Sequence, residues 1–273
     1  MIDNLKLVAI FAHPDDEAFG TGGTLTKYAH EGVDVHLIMA TRGEAGQLAN
    51  PAITPTHPFS LLREQELRRA CEVYGLKQLH LLGYGDGQTA MVPPSEAVYK
   101  IVRLLRDIKP QIVLSFGPEG VYGHYDHLVV HRWASASVRL AAETERWPEL
   151  GAAHHVAKFY HRAMPQSQVD NMQERLGYNS VPMDGIPFPF TGYPIEQITT
   201  IVDVRAWADK KAQAIRCHAS QIGPDNPILQ EDFDPTANDW FWKETFILAQ
   251  SHGLLDGYSI DDKECDLFAG VRV

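Results

Sequence analysis

Short apolar runs alternate with amphipathic segments through the first half of the chain, and this alternation limits the fold more than any other feature. The runs at 5–12 and 33–40 predict buried strands, and the stretch from about 24 to 30 between them predicts a helix. A strand, helix and strand in this order are typical of a crossover between parallel strands. We therefore predict an α/β protein with a parallel sheet.

The same pattern predicts further elements along the chain. Strands are expected at 78–82 and 111–116, and helices at 61–74, 97–109 and about 128–143. Beyond these the alternation fades, and we expect strands at 158–161, 199–204 and 246–249 and a helix at 206–220. We interpret residues 1–273 as one domain with a core at about 5–205, a surface insertion at about 162–197 that is rich in proline and glycine, and a C-terminal elaboration at about 206–273 over the active-site edge.

Composition excludes several classes of protein. The formal net charge of −11 opposes nonspecific nucleic-acid binding, because contacts to phosphate require a basic face. The three cysteines are too few and too dispersed for a disulfide scaffold or a four-thiolate metal site. We find no signal peptide and no apolar run long enough for a membrane span. A cytoplasmic protein is the resulting expectation.

A cluster of polar side chains directly follows the first predicted strand, in the segment AHPDDE at 12–17. Open α/β sheets bind ligands at the loops that leave the carboxyl ends of their strands. The imidazole of His13 and the carboxylate of Asp16 suit two corners of a zinc site, and Asp15 between them remains a free carboxylate. The alternative is an acidic turn that caps the next helix.

A second cluster, GHYDH at 123–127, follows the strand predicted at 111–116 and opens a helix, so it lies at the same sheet edge. With His127 as a third ligand, the site is His/Asp/His with one open position. Three protein ligands and an open position are typical of catalytic rather than structural zinc. The alternative is a hydrogen-bonded loop that caps the helix.

These two segments resemble the signature motifs of the LmbE-like deacetylases. This family is also called PIG-L, after the N-acetylglucosaminyl-phosphatidylinositol deacetylase. Further similar segments lie at 41–46, 63–67 and 211–221. Tyr125 departs from the pattern, because the family often has proline there, but this position is not a ligand.

The resemblance implies a Rossmann-like, mostly parallel sheet flanked by helices. It also implies one zinc ion per chain, held by His13, Asp16 and His127, and a general base at Asp15. A His/Asp/His set also accepts iron, cobalt or manganese, because affinity order alone does not select the metal.

For catalysis we expect Asp15 to take a proton from the attacking water and to return it to the departing amine. His124, if protonated, would stabilise the oxyanion, and Asp126 would orient and charge an imidazole. Similarity to pocket residues of the family adds five expected substrate contacts: Arg63, Glu44, Asp86, Tyr122 and His218. The alternatives are a solvated helix charge for Arg63, a turn aspartate for Asp86 and a helix-end histidine for His218.

We predict a metal-dependent hydrolase of linear amides that removes an N-acetyl group from a small amino-sugar substrate containing N-acetylglucosamine. One alternative is an amidase that cuts a larger glucosamine–thiol conjugate, the substrate type of the mycothiol branch, or a non-sugar amide. Another is a metal- or nucleotide-binding module without catalysis; the glycines at 20–23 lack the full dinucleotide fingerprint. Homo-oligomerisation stays open.

Overall fold

The computed structural model of the chain describes residues 5–177, 179–256, 258–259 and 263–271. Its strands are β1 (Lys6–Phe11), β2 (Asp34–Met39), β3 (Gln78–Leu81), β4 (Ile112–Phe116), β5 (Lys158–Arg162), β6 (Met164–Pro165), β7 (Ser180–Met183), β8 (Ile186–Pro189), β9 (Gly192–Tyr193), β10 (Thr200–Asp203) and β11 (Lys243–Ser251). Its α-helices are α1 (Asp16–His30), α2 (Phe59–Tyr74), α3 (Pro94–Ile108), α4 (Gly120–Gly123), α5 (Tyr125–Ala141), α6 (Gln166–Leu176), α7 (Ala208–Cys217) and α8 (Asp239–Trp242).

Seven strands form the central sheet in the order β10-β11-β5-β4-β1-β2-β3. The five strands from β3 to β5 are parallel, and β11 is antiparallel to both of its neighbours, β10 and β5. This is the predicted Rossmann-like α/β fold, and it is confirmed. The chain leaves β1 toward β2 on one side and later returns with β4 on the other, so the strand order reverses between β1 and β4. Open α/β sheets bind ligands at such a reversal.

Helices cover both faces of the sheet, which explains why its inner strands are apolar without alternation. Five of the six residues of β1 and of β2, and all five of β4, are buried. Helix α3 turns one apolar face to the core through residues such as Val98, Ile101 and Leu105, and it stops at Lys109 before Pro110. The core therefore lies on the parallel strands that carry the two polar clusters.

Helix α1 begins at Asp16 and not near residue 24, so the predicted start was wrong. Gly20 and Gly23, which precede the predicted start, lie inside the helix and are closely packed. A Cβ on Gly20 would lie 1.6 Å from Nε of Arg162, and one on Gly23 would lie 2.3 Å from Cγ2 of Val204. Both positions accept only hydrogen because other elements lie directly against this helix.

The insertion expected at about 162–197 contains regular structure. It holds α6 and the hairpin of β7 and β8, whose turn places Asp184 and Gly185 at positive φ. Asp-Gly is the preferred pair for a two-residue turn of this kind. The C-terminal part also contributes an inner strand to the sheet, since β11 lies between β5 and β10.

A buried ion pair fastens the end of the chain to this side of the sheet. Lys158, with no exposed surface, pairs with Glu264, which also accepts hydrogen bonds from Tyr160 Oη at 2.7 Å and from Thr200 Oγ1 at 3.0 Å. Among the helices described, none combines the length and the apolar character needed to cross a membrane.

Candidate active site

The two polar clusters meet at the reversal of strand order. The loop after β1 contains His13 and leads into α1. The loop after β4 leads through α4 into α5. Since β1 and β4 are adjacent and parallel, both loops leave the same edge of the sheet. Side chains that are more than a hundred positions apart in sequence are therefore in contact there.

Three donor groups converge at this edge. The Nδ1 atom of His13 lies 3.3 Å from Nε2 of His127 and 3.3 Å from Oδ2 of Asp16. Oδ1 of Asp16 lies 3.1 Å from Nε2 of His127. Ligands about 2.0–2.1 Å from a tetrahedral metal ion are separated from each other by about 3.3 Å. The two imidazole nitrogens have this spacing, and each lies close to one oxygen of the Asp16 carboxylate, so the three side chains fit one metal ion between them.

Contacts around His127 determine which of its nitrogens faces this point. Its ring stacks on Phe116, the last residue of β4, with centroids 4.1 Å apart and 8° between the planes. Its Nδ1 lies 3.1 Å from the carbonyl oxygen of Gly120 and donates to it, which leaves the Nε2 lone pair toward His13 and Asp16. Gly120 has φ +60, and a Cβ there would lie 3.1 Å from Cβ of His127, so glycine is required.

Two carboxylates hold the opposite side of His13. Its Nε2 lies 3.1 Å from Oδ2 of Asp126 and 3.0 Å from Oδ1 of Asp86. Asp126 is itself fixed by the backbone N–H of Gly87 at 2.7 Å and the hydroxyl of Thr89 at 2.6 Å. A carboxylate on the outer nitrogen of a metal-binding histidine fixes its tautomer and increases its basicity. This arrangement directs Nδ1 of His13 toward Asp16 and His127.

The electrostatics follow from this contact network. Burial alone would lower the pKa of His13, but hydrogen bonds to Asp126, Asp16 and Asp86 raise it well above its usual value. Burial alone would raise the pKa of Asp16, but His127 and His13 hold it well below its usual range. The site thus concentrates negative charge around its imidazoles, which suits a divalent cation that takes the place of protons.

Among the residues that the structure describes, two further groups of donor atoms lie close enough to share a metal ion. The donor atoms of His13, His124 and His127 lie within 4.8 Å of one another, and so do those of His13, Asp86 and Asp126. In the second group the carboxylates face Nε2 of His13 at hydrogen-bond distance. These contacts agree better with support of His13 than with a separate metal site.

Asp15 lies beside the three donors with its backbone in an unusual conformation. Its φ of 117° is rare for a residue other than glycine, and such conformations cost about 1–3 kcal/mol. Its Oδ2 accepts a hydrogen bond of 3.0 Å from Nη2 of Arg63, and its N–H donates to Oε2 of Glu17 at 2.9 Å. Burial raises the pKa of Asp15 to about 7, against the opposing charge of Arg63. The Asp15 side chain keeps 22% of its surface exposed and is thus accessible to a small ligand.

His124 lies next to this group, with its ring centroid 4.7 Å from those of His13 and His127. Its Nδ1 accepts the N–H of Asp126 at 3.2 Å, so its proton resides on Nε2. Burial and the neighbouring His13 and His127 lower the pKa of His124 to about 4. The structure therefore favours a neutral imidazole at this position instead of the protonated one considered from sequence.

The residues expected to contact substrate have different surroundings. Glu44 is exposed and accepts the N–H of Asp86, and the half-buried ring of Tyr122 lies edge-on to His124 and His127. Arg63 is 3% exposed and also donates to the carbonyl oxygens of Gly43 and Pro14. Arg63 therefore contacts the loop between β1 and α1, which carries Asp15.

Asp86 and His218 are likewise engaged inside the protein. Asp86 contacts His13 and also accepts the N–H of Ala45 at 2.9 Å. His218 has no exposed surface, and its Nε2 donates to Oε1 of Glu17 at 2.7 Å. The atoms named here thus bond to other residues of the protein.

Sequence reasoning overlooked Glu17 and Thr89. Glu17 is fully buried and contacts both Asp15 and His218. Its signal was available, because a carboxylate directly after two aspartates at a sheet edge requires a partner if buried. Thr89 lies after a turn without any periodic pattern, and the sequence contains no signal that places it beside Asp126.

The chain belongs to the PIG-L family. Residues 8–138 match the family described as GlcNAc-PI de-N-acetylase. The 1D-myo-inositol 2-acetamido-2-deoxy-alpha-D-glucopyranoside deacetylase of Rhodococcus opacus is 33% identical over 296 residues, which cover 97% of this chain and 98% of the relative. This confirms the family inferred from the two motifs.

Solved structures share the fold. The N,N'-diacetylchitobiose deacetylase of Pyrococcus horikoshii superimposes with a TM-score of 0.66 at 22% identity, over 90% of this chain and 84% of that chain. The 4-carboxy-2-hydroxymuconate hydratase of Pseudomonas putida superimposes with a TM-score of 0.63 at 17% identity, over 91% and 98% of the two chains. Since one fold carries both a deacetylase and a hydratase, the activity has to be argued from the site.

Proposed function

We propose that this protein is a zinc-dependent deacetylase that hydrolyses the N-acetyl group of a small substrate containing N-acetylglucosamine. The observation that carries the proposal is the convergence of His13, Asp16 and His127 beside the accessible carboxylate of Asp15. The facing imidazole nitrogens are 3.3 Å apart, and each lies 3.1–3.3 Å from one oxygen of Asp16. The family membership and the deacetylase relative from Rhodococcus opacus support it.

The residues fit a zinc ion in number, type and spacing. Two imidazole nitrogens and one carboxylate oxygen form a common donor set of catalytic zinc, with the fourth position left for water or substrate. The supporting carboxylates, Asp126 and Asp86, contact the nitrogen of His13 that faces away from the three donors. When bound there, zinc lowers the pKa of a water to about 7 and polarises the amide carbonyl.

The side chains around the three donors supply the proton transfers and the charge stabilisation. Asp15 takes the proton from the attacking water and returns it to the departing amine, a role that needs a carboxylate close to the reacting atoms. His124, neutral with its proton on Nε2, donates a hydrogen bond to the developing oxyanion. Tyr122, edge-on to His124 at a centroid distance of 5.9 Å, adds a phenol to the same side of the site.

For substrate binding we propose that the exposed carboxylate of Glu44 and the phenol of Tyr122 contact sugar hydroxyls. Both side chains have surface available at the edge of the site. Arg63 and Asp86 act in this scheme through Asp15 and His13, because their polar atoms are hydrogen-bonded to these residues.

The test is acetate release from a panel of N-acetylglucosamine derivatives by zinc-loaded protein. The panel contains the free sugar, N,N'-diacetylchitobiose and the inositol conjugate, together with a bulky N-acyl glucosamine. We expect turnover on at least one acetylated member, reduced about 10²–10⁴-fold in Asp15→Asn with zinc still bound. Faster cleavage of the bulky acyl group would establish an amidase of larger conjugates instead. Near-normal turnover in Asp15→Asn would overturn the role of Asp15.

A further inference from the structure

A buried hydrogen-bond chain connects the C-terminal part of the protein to the backbone of Asp15. His218, at the end of α7, donates from Nε2 to Oε1 of Glu17 at 2.7 Å. The other oxygen of the same carboxylate, Oε2, accepts the N–H of Asp15 at 2.9 Å. Glu17 and His218 both have no exposed surface. Two residues 201 positions apart in sequence thus meet next to the loop between β1 and α1 that carries Asp15.

This chain has a specific geometric task. Asp15 adopts φ 117° and ψ −25°, a conformation that residues with a side chain rarely occupy. It persists only if neighbouring groups hold it. Arg63 holds the side chain of Asp15 through Oδ2, and the carboxylate of Glu17 is the partner that holds its N–H.

The end of α7 is itself firmly anchored, so it provides a rigid support. Ser220 donates from its N–H and its hydroxyl to the two oxygens of Glu66 on α2, at 2.8 and 2.6 Å. Helix α2 also carries Arg63. Buried glutamates on α1 and α2 therefore tie one short segment, residues 218–220, to both helices that hold Asp15.

We propose that Glu17 and His218 form a positioning pair that holds Asp15 in its strained backbone conformation and thereby aims its carboxylate at the reacting water. The inference rests on the proposed function, because Asp15 is the group that the pair positions. His218 acts through Glu17 and does not contact the sugar. Its Nδ1 is buried without a hydrogen-bond partner among the described residues, so its contact with Glu17 through Nε2 accounts for its position.

The Glu17 variants separate positioning from general stability. In Glu17→Ala and His218→Ala the hydrogen-bond chain is broken, and we expect kcat to fall about 100-fold with KM and bound zinc little changed, since small misplacement of a reacting group is costly. Glu17→Gln keeps the shape: its carbonyl accepts the Asp15 N–H and its amide donates to a neutral His218. This conservative variant should recover kcat to within about tenfold of the parent protein.

Tyr74→Phe is the matched control. The Tyr74 hydroxyl donates at 3.2 Å to Oε1 of Glu17, the oxygen that His218 also contacts, whereas the N–H of Asp15 donates to Oε2. Loss of the Tyr74 hydroxyl should lower the unfolding temperature and leave kcat within about twofold. If Glu17→Ala stays within threefold of the parent kcat, or if Tyr74→Phe and Glu17→Gln lose as much activity as Glu17→Ala, the positioning role is refuted.

Amide hydrogen exchange at Asp15 provides a readout that does not require activity. We expect faster exchange of this amide in Glu17→Ala and parent-like exchange in Glu17→Gln and Tyr74→Phe. If the parent protein hydrolyses no member of the substrate panel, the proposed function fails, and the exchange measurement still decides the positioning role. Unchanged exchange in Glu17→Ala would overturn it.

Discussion

Oδ2 of Asp126 lies 3.1 Å from Nε2 of His13, although the two residues are 113 positions apart and follow different strands. The contact joins the two sequence motifs through a carboxylate–imidazole pair, next to the point where the three donor atoms meet. The aspartate of the second motif is thus in contact with the histidine of the first. The sequence predicted that Asp126 orients an imidazole, but it did not specify which one.

Replacing Asp126 should therefore weaken metal binding. In Asp126→Ala the imidazole of His13 loses a partner that fixes its tautomer, and we expect zinc affinity to fall about 10–100-fold. A competition titration with a chromophoric chelator measures this change. Asp107→Asn, an exposed aspartate on α3, is the control and should bind zinc like the parent. Equal affinity in Asp126→Ala and the parent would contradict the supporting role.

The Arg63→Lys variant tests whether this arginine positions the loop that carries Asp15 or contacts the sugar. Its guanidinium donates to Asp15, Gly43 and Pro14 at once, and a lysine ammonium cannot reproduce this fork. We expect Arg63→Lys to lower kcat about 10–100-fold with KM nearly unchanged and zinc retained. Steady-state kinetics on the best acetylated substrate measure both constants.

The control for this variant is Arg68→Lys on the same helix, where the parent arginine is paired with Glu64 at the surface. It should have no effect on either constant. A rise in KM with parent-like kcat in Arg63→Lys would instead show that Arg63 grips the substrate.

We expect the free energy of unfolding to decrease as the pH is lowered, because of a pair of histidines away from the site. His36 and His80 face each other across β2 and β3, with Nδ1 and Nε2 3.2 Å apart. Burial, reinforced by His80, lowers the pKa of His36 from 6.5 to about 4, and burial also lowers the pKa of His80. At a pH between the folded and unfolded pKa values of His36, about 4 and 6.5, the unfolded chain binds more protons than the folded protein. The free energy of unfolding therefore decreases as pH falls from about 6.5 to about 4.

Urea unfolding at pH 7 and pH 4.5 measures this loss. In His36→Leu the decrease should be smaller by about 2 kcal/mol, whereas His57→Leu, at an exposed position, should behave like the parent. An identical pH dependence in the parent and in His36→Leu would exclude the histidine pair as the cause.

Removing only one partner of the Lys158–Glu264 ion pair should destabilise the protein more than removing both charges. Lys158→Met leaves the Glu264 carboxylate buried without its cation, which costs about 3–5 kcal/mol. Adding Glu264→Gln removes the uncompensated charge, so the double variant should regain at least half of that loss. Urea unfolding of the parent, both single variants and the double variant completes the cycle. Equal stability of Lys158→Met and the double variant would count against this account.

Sequence identified the loops at the site because their chemistry is concentrated in two short segments. Each segment follows an apolar run that predicts a strand buried on both faces. The topology of such strands determines where the loops after them meet. His13, Asp15, Asp16 and His127 lie at that edge as expected.

Partners that lie far apart in sequence were not predictable in the same way. The contact of Glu17 with His218 depends on how α7 packs against α1, which no local pattern specifies. Arg63 is buried against Gly43, Pro14 and Asp15, which lie on the loops after two different strands, and no local pattern specifies these contacts either. The early start of α1 was also hidden, since Gly20 and Gly23 lower helix propensity and are explained only by the elements that press against them.

The position of β11 bears on how the protein is made. Strand β5, which ends at Arg162, receives its second sheet neighbour from residues 243–251. During synthesis on the ribosome, this edge of β5 stays unpaired until residues 243–251 have emerged. An open strand edge is a template for pairing with other chains. We therefore expect a nascent chain that stalls before β11 to bind chaperones, because the native sheet is complete only after β11 has joined β5 and β10.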